Sequence, residues 1–164
     1  MITEIKPRLS AQAAAPEELR KALIALGRSI SENSSLDEKL EAIVALRASQ
    51  MNGCAFCTVL HAADARDAGE TQERLDAVAV WRDTPWFAPR ERLALEFAER
   101  ATDLINSEFD DDFYEKALAE FGERGLIDLA ATVAMVNTWN RLNVPFRTPP
   151  NPQFRSKMAY ASAR

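Results

Sequence analysis

Apolar residues recur along this chain at spacings of three and four and nowhere alternate for long, so helices are predicted nearly throughout. Ala13-Ala14-Ala15-Pro16-Glu17-Glu18 opens the first, because proline suits a first turn and acids complement the helix dipole. Leu19, Leu23 and Leu26 carry it to an expected end between Gly27 and Ile30. Leu36, Leu40, Ile43, Val44 and Arg47 place a second helix over residues 36–51, capped by Ser34 or Ser35 and stopped by Asn52-Gly53. A third is predicted over residues 54–68, ending before Gly69. Thr71 starts a fourth through Leu75, Val78, Ala79 and Trp81, and Thr84-Pro85-Trp86-Phe87-Ala88-Pro89 reads as an aromatic-rich loop. Pro89 opens a long helix through Leu93, Leu95, Phe97, Ala98 and Leu104. The Asp110-Asp111-Asp112 run caps a helix over 113–121, residues 120–125 read as a turn, and 126–142 is apolar enough to be buried. The prolines between Pro145 and Pro152 bar further helix, so residues 151–164 read as an extended arm beyond a helical domain at 1–150. Phe154, Met158 and Tyr160 give that arm apolar weight suited to a neighbouring subunit. The fold class is all-α, a single-domain helical bundle.

Composition narrows the setting. The 164 residues suit one domain, and a net charge of -5 without a basic stripe argues against nucleic acid. The longest apolar stretch, residues 126–139, is broken by Asp128, Thr132 and Asn137, so no membrane partner is expected. Met1-Ile2-Thr3-Glu4-Ile5-Lys6 lacks the basic patch and apolar run of a secretion signal. A cytoplasmic location follows as the expectation, with the thiols facing a reducing pool.

The candidate chemistry lies in Cys54-Ala55-Phe56-Cys57-Thr58-Val59-Leu60-His61, which holds both cysteines and the single histidine of the chain. On a helix, Cys57 and His61 stand one turn apart on one face, with Cys54 a turn earlier on roughly the same stripe. A helix N-terminus, a CxxC partner and a nearby imidazole each favour thiolate, the reactive form. Structural zinc would need a fourth ligand, and covalent haem attachment would need histidine where Thr58 stands. No metal and no cofactor are expected. Two inert buried thiols are the plain alternative, but so short a disulfide loop is of little use as a staple. A redox-active dithiol is the favoured reading.

Leu46-Arg47-Ala48-Ser49-Gln50-Met51-Asn52-Gly53-Cys54-Ala55-Phe56-Cys57, with His61, Asp64-Ala65-Arg66 and Gly69-Glu70, resembles the alkylhydroperoxidase D-like (AhpD-like) branch of the carboxymuconolactone decarboxylase family. Trp81-Arg82-Asp83-Thr84-Pro85, Arg90-Glu91-Arg92-Leu93-Ala94-Leu95 and Asn137-Thr138-Trp139-Asn140-Arg141-Leu142 follow in the family's order, so the likeness spans residues 9 to about 150. The resemblance implies an AhpD-like helical bundle assembling into a homo-oligomer, a trimer or hexamer. It implies a thiol-dependent peroxidase acting on small organic or hydrogen peroxides through sulfenic acid and disulfide intermediates. Cys57 would attack, Cys54 would resolve, and His61 would belong to a proton relay. An external thiol reductant would recycle the dithiol, a lipoyl-bearing protein in the best-known relatives. Trp139 and Asn140 would pack near the site and could shape a substrate pocket.

Two points stay open at this level. The helix terminus alone favours Cys54 as the more acidic thiol, whereas the resemblance gives the attack to Cys57. The family's relay glutamate falls twelve residues before the first cysteine, at Ala42 here, with Glu41 beside it and Glu38 one turn earlier. Glu41 would point about 100° round the helix from Ala42. Either acid is a candidate relay or an ordinary solvated residue. A thiol-disulfide oxidoreductase with little peroxidase activity is therefore the second reading, and a non-catalytic oligomeric binding protein the third.

Overall fold

The computed structural model describes residues 6–9 and 14–161, and every regular element among them is helical. The expected helix opening at Ala13 and the N-terminal stretch up to Ile5 lie outside the described residues. Seven α-helices follow in order: α1 Glu17–Asn33, α2 Glu38–Met51, α3 Ala55–Asp67, α4 Gln72–Ala77, α5 Pro89–Thr102, α6 Asp111–Asn143 and α7 Ser156–Ala161. A 3-10 segment, Val78–Asp83, joins α4 to the loop before α5.

Helix α2 is the hub of the bundle. Its Leu40, Ile43, Val44 and Leu46 are almost wholly buried, and it packs on α3, α5 and α6 at once. Leu95 of α5 and Leu129 and Val133 of α6 complete the centre of the core. A helix buried on nearly every side loses the one-faced polarity of a surface helix.

The boundaries depart from the sequence expectations for identifiable reasons. Helix α1 does not stop near Gly27 but runs to Asn33, because that glycine lies under Tyr160, whose ring would sit 3.3 Å from an added Cβ. Neither Ser34 nor Ser35 caps α2. Asp37 does so by accepting from the Leu40 N–H at 2.9 Å, while Ser35 turns its N–H and hydroxyl onto Asp128 at 2.8 and 2.7 Å. The fourth helix is shorter than its apolar spacing suggests, since Val80 leaves helical geometry within the 3-10 segment. Leu104 lies beyond the end of α5 and is exposed. The expected turn at 120–125 contracts to Gly122, which takes φ +66° and lets α6 bend without ending.

The C-terminal arm is not extended, nor does it reach away from its own chain. Residues 151–161 fold back over α1 and α3, where Phe154 packs on Phe56 with ring centroids 5.7 Å apart. Ser156 gives its N–H and hydroxyl to Asp64, Arg155 pairs with Asp67, and Lys157 pairs with Glu38. These polar ties hold the arm across the segment that carries the cysteines.

Candidate active site

The turn between α2 and α3 is built to present Cys54 at a helix start. Gly53 takes φ +64°, and the Cys54 N–H returns to the Ser49 carbonyl at 3.0 Å. Asn52 ends α2 rather than capping α3. Its side-chain amide donates to the Ala48 carbonyl and to the side-chain oxygens of Asn137 and Asn140 on α6. The N-cap of α3 is Cys54 itself, whose Sγ accepts from the Cys57 N–H at 3.2 Å. An N-cap sulfur in front of free helix N–H groups is stabilised as thiolate.

Cys54 and Cys57 form a disulfide with Cα atoms 5.3 Å apart, and both are almost wholly buried. They differ in what they face. Cys57 lines a cavity of about 190 Å³ bounded by Phe56, Leu60, Trp139 and Phe154, and Cys54 is not among its lining residues. The amide of Asn143, itself buried, lies 3.7 Å from the Cys57 sulfur and is anchored by its bond to the Trp139 carbonyl at 2.8 Å.

His61 lies between this cavity and a second one of about 280 Å³, and lines both. Its Nδ1 is 3.7 Å from Asp64 Oδ2. Burial works to raise the Asp64 carboxyl, but His61 and Ser156 more than offset it, and the group is held below the usual aspartate value. The second cavity also takes in Glu41, Glu38, Asp67 and Tyr160. Burial pushes the Glu41 carboxyl up to about 7, with Asp128, Asp37 and Glu38 adding to the rise and the Ser34 hydroxyl opposing it. Glu41 Oε1 is buried with no hydrogen-bond partner. Tyr160 is pushed up to about 12, by burial first and then by Asp64 and Glu41, so its phenol stays a proton-bearing donor at neutral pH.

The structure thus gathers Cys57 and His61 around one cavity and His61, Glu41 and Glu38 around the next. Glu38 is exposed and engaged by Lys157 at 2.8 Å, whereas Glu41 is partly buried. Trp139 lines the cysteine cavity. Asn140 does not line it. It is 1% exposed and fastens the α2–α3 turn through Asn52 and Ser49. Sequence reasoning gave no site role to Asn143, Asp64 or Tyr160. The first stands one turn after Trp139 and the second about one turn after His61, spacings that could have pointed to both, but Tyr160 depends on how the arm folds back over α1 and α3. Among the described residues no group of three or more His, Cys, Asp or Glu side chains could hold a metal ion.

Comparison with known proteins agrees with this architecture. Residues 17–100 match the carboxymuconolactone decarboxylase family. The uncharacterized protein YdfG of Bacillus subtilis is 32% identical over 114 residues, 70% of this chain and 78% of its own length. A crystal structure from Agrobacterium tumefaciens, ATU0492, a protein of unknown function described as a candidate antioxidant defence protein AhpD, superposes with TM-score 0.83 at 30% identity. It covers 89% of this chain and 99% of its own. A peroxidase-related protein from Ralstonia eutropha JMP134, described as an alkylhydroperoxidase AhpD core, shares the fold with TM-score 0.75 at 24% identity, over 93% of this chain and 78% of its own. With the family matched over half its length and the fold matched over most of it, the chain belongs to the AhpD-like branch of the carboxymuconolactone decarboxylase family.

Proposed function

We propose that this protein is a thiol-dependent peroxidase that reduces small organic peroxides or hydrogen peroxide. One observation carries the reading: Cys57 forms part of an apolar cavity wall, with its disulfide partner Cys54 one turn away and His61 beside the same cavity. In the reduced protein the Cys57 thiolate attacks the terminal peroxide oxygen and the O–O bond breaks. The leaving alkoxide takes a proton and departs as alcohol, and Cys57 becomes a sulfenic acid. Cys54 then attacks the Cys57 sulfur, the sulfenic hydroxyl leaves as water on receiving a proton, and the disulfide forms. An external dithiol returns two electrons and two protons to the pair.

The geometry favours Cys57 as the attacking atom, since it faces the cavity while Cys54 is held in the cap of α3. His61, oriented by Asp64, is placed to move the protons. Glu41 takes the part left open by Ala42: it shares a cavity with His61, and a carboxyl pushed up to about 7 exchanges protons readily at neutral pH. Trp139 bounds the substrate space, Asn140 supports it from behind, and Glu38 stays with Lys157. Among the described residues no helix is long and apolar enough to cross a membrane, in keeping with a proposed cytoplasmic setting. A lipoyl-bearing protein as reductant and a homo-oligomeric trimer or hexamer complete the proposal.

The second reading, a thiol-disulfide oxidoreductase with little peroxidase activity, is favoured by Ala42 at the family's glutamate position. A rapid-quench thiol count after mixing reduced protein with tert-butyl hydroperoxide separates the two. The peroxidase reading expects both thiols to vanish within seconds and Ala42→Glu to hasten their loss. Thiols that survive the peroxide but equilibrate quickly with oxidised lipoamide would establish the second.

A further inference from the structure

We infer that the cavity in front of Cys57 binds small organic acids, and that its preferred peroxides are apolar hydroperoxides carrying a carboxylate, which Arg20 holds. The substrate half of this statement rests on the peroxidase reading above. The two cavities that meet at His61 divide the charges of the region. Glu38, Glu41, Asp64 and Asp67 all line the larger one. No carboxylate lines the smaller one, whose charged members are Arg20 and, when protonated, His61.

Arg20 differs from most arginines of the chain, although Arg28 and Arg147 share the difference and line neither cavity. Arg47, Arg74, Arg82, Arg92 and Arg100 are each bonded to a carboxylate or a backbone carbonyl. The guanidinium of Arg20 has no such bond among the described residues, and Glu17, three residues before it, pairs with Lys21 at 2.5 Å. Arg20 is only partly exposed and lines the same cavity as Phe154 and Trp139. A guanidinium fork against apolar walls is suited to a carboxylate, which it can hold with two parallel hydrogen bonds while the hydrocarbon part displaces water.

The carboxylate takes no part in the redox step. Cys57 thiolate accepts the terminal oxygen, the O–O bond breaks, and the alkoxide gains a proton to leave as a hydroxy acid. The charge serves to place the peroxide before the sulfur and to discriminate against neutral analogues.

The test pairs cumene hydroperoxide with its para-carboxylate analogue in stopped-flow oxidation of the reduced protein, for wild type, Arg20→Gln and Arg20→Lys. Octanoate and 1-octanol are titrated calorimetrically into the same three proteins. The acid peroxide should react about tenfold faster than the neutral one in wild type, a ratio that falls to about one in Arg20→Gln and partly returns in Arg20→Lys. The cumene hydroperoxide rate of each protein serves as that protein's own reference, so the ratio reads the carboxylate alone. A ratio near one in wild type, or one that survives in Arg20→Gln, overturns the substrate preference. If neither peroxide oxidises the thiols, the peroxidase reading fails on its own account, and the titration decides the pocket. Octanoate binding that is lost in Arg20→Gln upholds an acid site; no binding, or equal binding of octanoate and octanol, removes it.

Discussion

Glu99 on α5 and Glu41 on α2 are both partly buried carboxylates, yet the fold surrounds them in opposite ways. Glu99 accepts from Arg47 Nε at 2.6 Å, Trp81 Nε1 at 2.9 Å and Arg82 Nη1 at 2.5 Å. Burial works to raise its carboxyl, and those three donors more than offset it, so it is held below the usual glutamate value. Glu41 keeps a buried oxygen without a donor and is pushed up to about 7. The first arrangement is a closed polar cluster that fixes the 3-10 segment between α2 and α5. The second leaves a carboxyl whose proton is easily lost or gained, next to a cavity and a histidine. Between these two carboxylates, one on the supporting side of the bundle and one on the reactive side, the difference is the number of donors each one meets, not burial or charge.

The largest effect expected on the reactive side is that of Cys57→Ser. It should slow peroxide-driven loss of the remaining thiol by about a thousandfold or more, with urea midpoints close to those of the reduced wild type. On the supporting side, Glu99→Ala should do the reverse. It strands two guanidinium groups and an indole N–H, and a cost of about 3 kcal/mol in urea unfolding is expected, with thiol oxidation in the folded fraction changed less than twofold. If Glu99→Ala lowers the oxidation rate and leaves stability intact, the division between the two carboxylates is wrong.

Glu41→Gln sharpens the comparison from the other end, and its sign can be worked out. The folded-state value of about 7 lies above the ordinary 4.5, so the native state holds this proton more tightly than the unfolded chain does. The stability so gained is fully present below 4.5 and is lost as the pH rises through 7. Glutamine imitates the protonated form, so the variant should gain on wild type across that window and run parallel to it at higher pH. Urea midpoints at several pH values read this directly. Thiol oxidation at neutral pH should fall by about tenfold if Glu41 serves the relay.

Much of the supporting side was legible in the sequence, and much of the reactive side was not. Helical spacing located α2, α3, α5 and the two arms of α6, though not their continuity through Gly122, because a buried helix records its neighbours in its own apolar positions, as Leu40, Ile43, Val44 and Leu46 do. Several motif residues outside the cysteine segment are bonded within the scaffold. Glu70 binds Arg74, Arg92 bonds the carbonyls of Trp81 and Thr84, and Asn137 and Asn140 hold the α2–α3 turn through Asn52. The spacing of Cys54, Cys57 and His61 marked the candidate site, but not that Cys57 would face a cavity. That depends on α1 and on an arm about a hundred residues further on, which returns to cover α3 through Phe154 and Ser156. Helical periodicity carries no information about such long-range return, and the proline run masked it.

Asn143 offers the smallest and most discriminating change. Its amide lies 3.7 Å from Cys57 Sγ and is fixed by the Trp139 carbonyl, so it can donate to the sulfur without rearranging. Such a donor favours thiolate over thiol, whereas an apolar residue of similar size would leave the sulfur against hydrocarbon and raise its pKa. In Asn143→Leu the Cys57 thiol, read by the pH dependence of alkylation in a Cys54→Ser background, should therefore titrate about one unit higher. At neutral pH that lowers peroxide reactivity by less than tenfold, while oxidation measured well above the new pKa should nearly match the parent. A rate deficit persisting at high pH would mean that Asn143 shapes the cavity rather than tuning the sulfur. No shift at all would mean that Cys57, like Glu41, stands without a donor, and that the reactive side is less supported than the contact to Asn143 suggests.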